Sequence, residues 1–231
     1  MRLKAYLKES AHPFYGAVAA LGMLILYEIC LVWNPDSQVI YRNAPEAWMR
    51  QILHFFGLSH HYVSFFWITL GLIAIPLLYH KDSNPKVKTF GWLVLEAIIW
   101  GSLSGLVIQG LMQNLLFAQT QLTGSLVSDL ALAVGAGLFE ELFFRVGLTS
   151  LLIYGFGQIF KIRLFALLLA ITVASFLFSL AHYTGNAGDA FDLYSFTFRF
   201  VAGFWFTALY ATRGFAITAL AHAFYDIFII I

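Results

Sequence analysis

Charge is scarce in this chain. Of its 231 residues 11% are Asp, Glu, Lys or Arg and 61% are hydrophobic, and the mean hydropathy is +0.81. Soluble domains carry about 25% charged and 45–50% apolar residues, so this balance excludes a water-soluble globular domain and points to an integral membrane protein. With 13 basic against 12 acidic residues the net charge is +1, which provides no basic surface for nucleic acid. Cysteine is almost absent. Cys30 stands alone inside the first apolar run, which excludes an intramolecular disulfide and any cysteine-based metal site. Two hydrolase signatures are missing as well: Gly-x-Ser-x-Gly, the nucleophile turn of serine hydrolases, and His-Glu-x-x-His, which puts two zinc ligands and a base on one helix. No small-residue cleavage site follows the first apolar run, so that run is expected to be an uncleaved span rather than a signal peptide. No linker, low-complexity tract or internal repeat divides the chain, and residues 1–231 are expected to form a single integral membrane domain.

What is present is a series of apolar runs, near 14–33, 62–79, 89–112, 126–154, 164–183, 194–212 and 214–231. Crossing a bilayer takes about 20 helical residues, so the expected fold is all-α, a polytopic membrane helix bundle of about seven to eight transmembrane helices. The stretch from 126 to 160 is too long for one simple span. Gly155 and Gly157 are expected to end its helix, with a break near Gly147 and an eighth, partial helix as the alternative. Seven crossings with the N-terminus cytoplasmic put Lys81, Lys86, Lys88, Lys161, Arg163 and Arg213 inside and the acidic 183–193 loop outside, as the positive-inside rule asks. Between the first two spans, Glu46 to Phe56 mixes aromatic and charged residues at helical spacing and reads as an interfacial helix lying at the headgroups rather than as a substrate-recognising element. Pro35 and Pro45 flank or precede it, and 113–125 is an uncharged connection.

Ionisable residues within apolar runs are costly and mark partners or function. They are Glu28, Glu96, Asp129, Glu140, Glu141, Arg145, His182, Arg199, His222 and Asp226. Glu28 and Glu96 read equally as structural partners and as chemical groups. Asp129, after Ser128 near the start of a span, suits an N-terminal turn. Arg199 is expected to pair with a bundle carboxylate, or else to contact substrate. If the stretch around Glu140 is helical, Glu141 and Arg145 are four apart and pair on one face as structural, orienting residues, while Glu140 points about 100° away. His222 and Asp226, also four apart, share a face.

Glu140-Glu141-x-x-x-Arg145, Phe178-x-x-x-His182 and His222-x-x-x-Asp226 occur in that order, each in a hydrophobic segment. Together they resemble the three motifs of the CPBP family, also called Abi or type II CAAX-prenyl endopeptidase-like intramembrane proteases, over about 140–226. The resemblance implies an intramembrane endopeptidase with catalytic Glu140, His182, His222 and Asp226 in a core at about 126–231, acting on a membrane-anchored or lipidated peptide or protein within the lipid bilayer. It implies no cofactor and no nucleic-acid partner. A bacterial or archaeal cell membrane is the implied location, Asp226 standing where the eukaryotic relatives have Asn. By resemblance, Glu140 activates water, His182 helps hold it and His222 donates to the oxyanion. An ionised Asp226 more naturally orients the His222 imidazole than donates to the oxyanion itself. A metalloprotease using Glu140, His182, His222 and Asp226 as ligands is the competing mechanism. An inactive membrane scaffold or immunity-type protein that retains the motif as a polar network, and an ion- or proton-coupled transporter, are the competing functions.

Overall fold

The computed structural model describes residues 3–33, 44–59, 62–79, 86–112, 125–184 and 188–230, which form helices with no strand among them. An expected connection at 113–124, together with Pro35 and Lys81, lies outside the described residues. The helices are α1 (Leu3–Ser10), α2 (Pro13–Val32), α3 (Ala44–Phe55), α4 (Val63–Leu78), α5 (Val87–Met112), α6 (Leu126–Gly135), a π-helical segment (Ala136–Thr149), α7 (Ser150–Ile159), α8 (Arg163–Ala181), α9 (Leu193–Arg213) and α10 (Phe215–Ile230). Every apolar run is helical because only intra-segment hydrogen bonds satisfy the backbone where water is absent. Apolar side chains such as Leu72, Leu106, Leu164 and Phe176 stand exposed on the outer faces, as lipid contact requires.

Three helices, α2, α5 and α8, are long and apolar enough to cross a membrane, and α4 and α10 are shorter apolar helices. The chain between Leu126 and Ile159 is helical throughout, without the break considered at Gly147 and without ending at Gly155 or Gly157. Inside a bundle those glycines cost some propensity, but their backbone hydrogen bonds have no better partner than the helix. At the other end of the chain, α1 is separate from the first span. His12 accepts a hydrogen bond from the Phe14 backbone N–H at 3.2 Å and Pro13 opens α2, a start signal that divides the two helices. Gly214, at φ +77°, turns the chain between α9 and α10 in the left-handed region that favours glycine.

The lone acids found structural partners. Glu96 of α5 accepts from Arg213 Nε and Nη2 at 2.6 and 2.7 Å, from the Tyr6 hydroxyl at 2.5 Å and from the Trp100 indole at 3.2 Å, while Arg213 also reaches Ser10 at 2.9 Å. This cluster fastens α1 across α5 and α9. Glu28 faces Arg50 of α3 at 3.6 Å. Arg50 in turn bonds Glu46 at 2.5 Å and Ser64 of α4 at 2.7 Å, and the Tyr27 hydroxyl of α2 donates to Glu46. Because Glu46 is fully buried and Arg50 nearly so, α3 is not the plain headgroup-level helix expected from its sequence. It is docked into the bundle by a buried ionic network. Asp129 lies buried in the first turn of α6. Arg199 pairs with Asp189 in the connection before α9 and lies over the Tyr183 ring at 5.2 Å.

Glu9, in α1, makes a second tether by accepting from Tyr15 at 2.6 Å and from Thr89 at 2.8 Å. Burial pushes its carboxyl up, but those two hydrogen bonds and the nearby Lys86 outweigh it and hold the carboxyl below its ordinary value. A depressed native value stabilises the fold above the ordinary Glu range of about 4.3, and the contribution is lost as pH falls through the lowered value. Melting curves across pH are expected to show Glu9→Gln less stable than wild type near neutrality, with the gap closing below about pH 4.

Small residues let α10 lie close to its neighbours, the usual device where apolar burial cannot drive helix association. A Cβ at Gly137 of the π segment would stand 2.6 Å from the Ala219 carbonyl and 2.8 Å from Ala223, and one at Gly101 of α5 would stand 2.8 Å from Phe224. Since these close contacts involve backbone, Gly137→Ala must push α10 away. A loss of about 1–3 kcal/mol, typical of overpacking, is expected in an unfolding titration.

Candidate active site

The π segment builds one wall. Backbone hydrogen bonds reach five residues back, as in the Ser150 N–H donating to the Arg145 carbonyl, and the Thr149 and Ser150 hydroxyls add side-chain bonds to the Phe144 and Arg145 carbonyls at 2.7 and 3.2 Å; the wider turn gathers Glu140, Glu141, Phe144, Arg145 and Thr149 on the buried side. Such wide turns often occur at functional sites. The upstream end of the segment is held by Tyr27, whose ring meets Phe139 edge-on at 5.4 Å, and Trp48 of α3 packs on Phe143 and Phe144.

Glu141 and Arg145 are both fully buried and form the expected ion pair, Arg145 Nη1 lying 3.2 Å from Glu141 Oε1. The spacing of four serves in the wide turn as it would in an α-helix. The Arg145 guanidinium also lies 4.5 Å over the Phe178 ring of α8, a contact of the cation–π kind. What the sequence did not indicate is that Glu141 has a second task. Its Oε1 lies 2.7 Å from His222 Nδ1 on α10. An ionised carboxylate only accepts, so Nδ1 carries the proton and Nε2 is the nitrogen turned toward Asp226, whose Oδ2 is 3.7 Å away. That separation is an ion-pair distance and too long for a direct hydrogen bond. Phe206 of α9 stacks on the imidazole at 4.5 Å and 19°, fixing the ring plane.

Glu140, 8% exposed, interacts electrostatically with both His222 and Asp226, as does Glu141. The π segment and α10 thus bring Glu140, Glu141, Arg145, His222 and Asp226 together. His182 follows the C-terminal end of α8, and its contacts are with Phe178 rather than with this cluster. Its Nδ1 lies 2.9 Å from the Phe178 carbonyl, and its ring meets the Phe178 ring edge-on at 4.9 Å, so Phe178 stands between His182 and Arg145. A carbonyl only accepts, hence Nδ1 carries the proton of this hydrogen bond. His182 is half-buried. The sequence carried no signal for the Glu141–His222 bond, which joins residues 81 apart in the chain, nor for the Phe206 stack.

The residues weighed as metal ligands do not have a metal-binding arrangement: among the described residues no group of three His, Cys, Asp or Glu side chains is placed to hold an ion.

A helical bundle with apolar outer faces, three helices long and apolar enough to cross a membrane, and an acid–imidazole cluster between its helices is a membrane protein with an interior polar site. Residues 122–228, which include all of these site residues, match the family model described as type II CAAX prenyl endopeptidase Rce1-like, so this part of the chain is similar to that CAAX protease-like family. No curated protein and no solved structure matches the chain.

Proposed function

We propose that the chain is an intramembrane endopeptidase of glutamic type, hydrolysing a peptide bond in a membrane-anchored or lipidated peptide or protein. The observation that carries this reading is the clamped His222, its Nδ1–H on Glu141 and its Nε2 side facing Asp226, beside the nearly buried Glu140. Glu140 takes a proton from water as the water oxygen attacks the scissile carbonyl. His182 Nε2 accepts the water's other hydrogen bond and fixes its direction. As an imidazolium, His222 donates through Nε2 to the tetrahedral oxyanion, and Asp226 balances that charge. Glu140 then returns its proton to the leaving nitrogen as the C–N bond breaks. Glu141 and Arg145 position His222 and do not touch the reacting atoms.

The same reading takes residues 126–231 as the catalytic core of one membrane domain that crosses the bilayer seven times. The test is cleavage of a panel of membrane-anchored peptides by the protein in vesicles. His182→Ala and His222→Ala are each expected to slow turnover by about 10²-fold or more, within the range for a lost acid, base or oxyanion donor, while melting temperatures change little for His182→Ala. Full turnover in either variant would remove that histidine from the mechanism.

A further inference from the structure

Four exposed lysines stand where α1 is tied to the start of α5. A helix as short as α1 is marginal alone, and this one is held by hydrogen bonds at three of its residues: Tyr6 donates to Glu96, Ser10 accepts from Arg213, and Glu9 accepts from Tyr15 and Thr89. Those bonds fix where each face of α1 points. Tyr6 and Ser10, four apart, are its buried residues, whereas Lys4 and Lys8 on a second face and Leu3 and Leu7 on a third are all exposed. The start of α5 adds the same mixture. Lys86, Val87 and Lys88 are consecutive and exposed, and the Lys86 backbone N–H donates at 3.4 Å to the Tyr15 hydroxyl, which itself binds Glu9. Glu9 is the one acid of α1 and turns its carboxylate inward to Tyr15 and Thr89, which leaves the outer surface of this corner basic.

We propose that this corner binds the headgroup of an anionic glycerophospholipid, its phosphate held by Lys4, Lys8, Lys86 and Lys88 and its first methylenes lying on Leu3, Leu7 and Val87. Lysine stems run along apolar surface while their ammonium groups stay in the headgroup layer, where each is worth about fivefold in affinity for anionic lipid. The apolar residues among the lysines choose between ligands. A free phosphate has no use for them, and a zwitterionic lipid brings a cation of its own against the lysines. In this arrangement α1 lies at headgroup level as amphipathic interfacial helices do, the place the sequence suggested for α3. Because the tethers to α5 and α9 already hold the lysines in position, little order is lost when the lipid binds. The site stands whether or not Glu140 hydrolyses a peptide bond.

Native mass spectrometry of the purified full chain, titrated with palmitoyl-oleoyl phosphatidylglycerol or with the phosphatidylcholine of the same chains, tests this. Wild type is expected to bind phosphatidylglycerol about 25-fold more tightly, the equivalent of two lysines in contact. Lys4→Gln/Lys8→Gln and Lys86→Gln/Lys88→Gln are each expected to weaken phosphatidylglycerol about fivefold or more, with phosphatidylcholine binding and melting temperature unchanged because the four side chains are exposed. Lys161→Gln/Arg163→Gln removes two exposed cations at the α7–α8 connection and is expected to leave the preference intact. Equal binding of the two lipids by wild type would overturn the proposal. So would a loss in Lys161→Gln/Arg163→Gln as large as in Lys4→Gln/Lys8→Gln, which would reduce the preference to a general attraction of positive charge. Displacement of the lipid by an equal concentration of inorganic phosphate would overturn it as well, by making the corner a site for the free anion.

Discussion

Glu140→Gln is expected to lower kcat for peptide cleavage by about 10²–10⁴, the usual contribution of a positioned general base, with KM and the melting temperature little changed. Glutamine has nearly the same shape and still hydrogen-bonds, but it cannot take a proton from water, so the change isolates the chemical step. The control lies one residue away. Glu141→Gln keeps an acceptor for His222 Nδ1 but removes the charge facing Arg145, so it is expected to lower stability and activity together. A Glu141→Gln variant that loses turnover as completely as Glu140→Gln while keeping full stability would exchange the roles assigned to the two acids.

The largest effect on stability is expected from Arg145→Ala. Among the described residues Arg145 is the bulkiest fully buried side chain, held between the Glu141 carboxylate and the face of Phe178. Its removal leaves Glu141 buried with its charge opposed only by His222, and breaking a buried pair from one side costs about 3–5 kcal/mol. It also empties a large volume against Phe144 and Phe178, whose rings meet edge-on at 5.0 Å. Unfolding monitored in detergent is therefore expected to begin at markedly lower temperature or denaturant. Arg145→Lys is expected to recover only part of the loss, because an ammonium keeps the charge but gives up the planar guanidinium that lies on the ring. Full stability in Arg145→Ala would mean that the pair is incidental to the bundle.

Much of the helical layout was legible in the sequence because membrane helices must be apolar along their length, and each predicted run falls on a helix. The start of the first run at 14 agrees with α2 opening at Pro13, whereas α1 was not anticipated because residues 3–10 carry no long apolar run. The extension of α7 past Gly155 and Gly157 was missed because glycine punctuation is calibrated on soluble helices. At the site, the pairs four apart, Glu141 with Arg145 and His222 with Asp226, were legible because that spacing is local. The width of the π turn was not, since a spacing of four suits both helix types. The hydrogen bond from His222 to Glu141 depends on how closely α10 approaches the π segment, which Gly137 permits but no local pattern announces. For α3, Glu46 and Arg50 four apart, with Glu28 facing no partner in its own span, could have suggested the buried network that docks it.

Glu9 and Glu96, at the α1 end, show how the same residue type separates into tethers and site groups. Both are engaged by several donors and hold helices together. Glu140 interacts electrostatically with the His222 imidazole and the Asp226 carboxylate on α10, surroundings that support the proton-exchanging role proposed for it.

The most direct measurement of the proposed hydrolysis is a mass-spectrometric comparison of membrane peptides from cells carrying the wild type and Glu140→Gln at equal expression. A precursor that accumulates in the variant, with its cleaved product present in the wild type alone, is the expected result. Identical peptide populations, with the variant folded and inserted in the membrane, would contradict it and leave the polar cluster as a structural network.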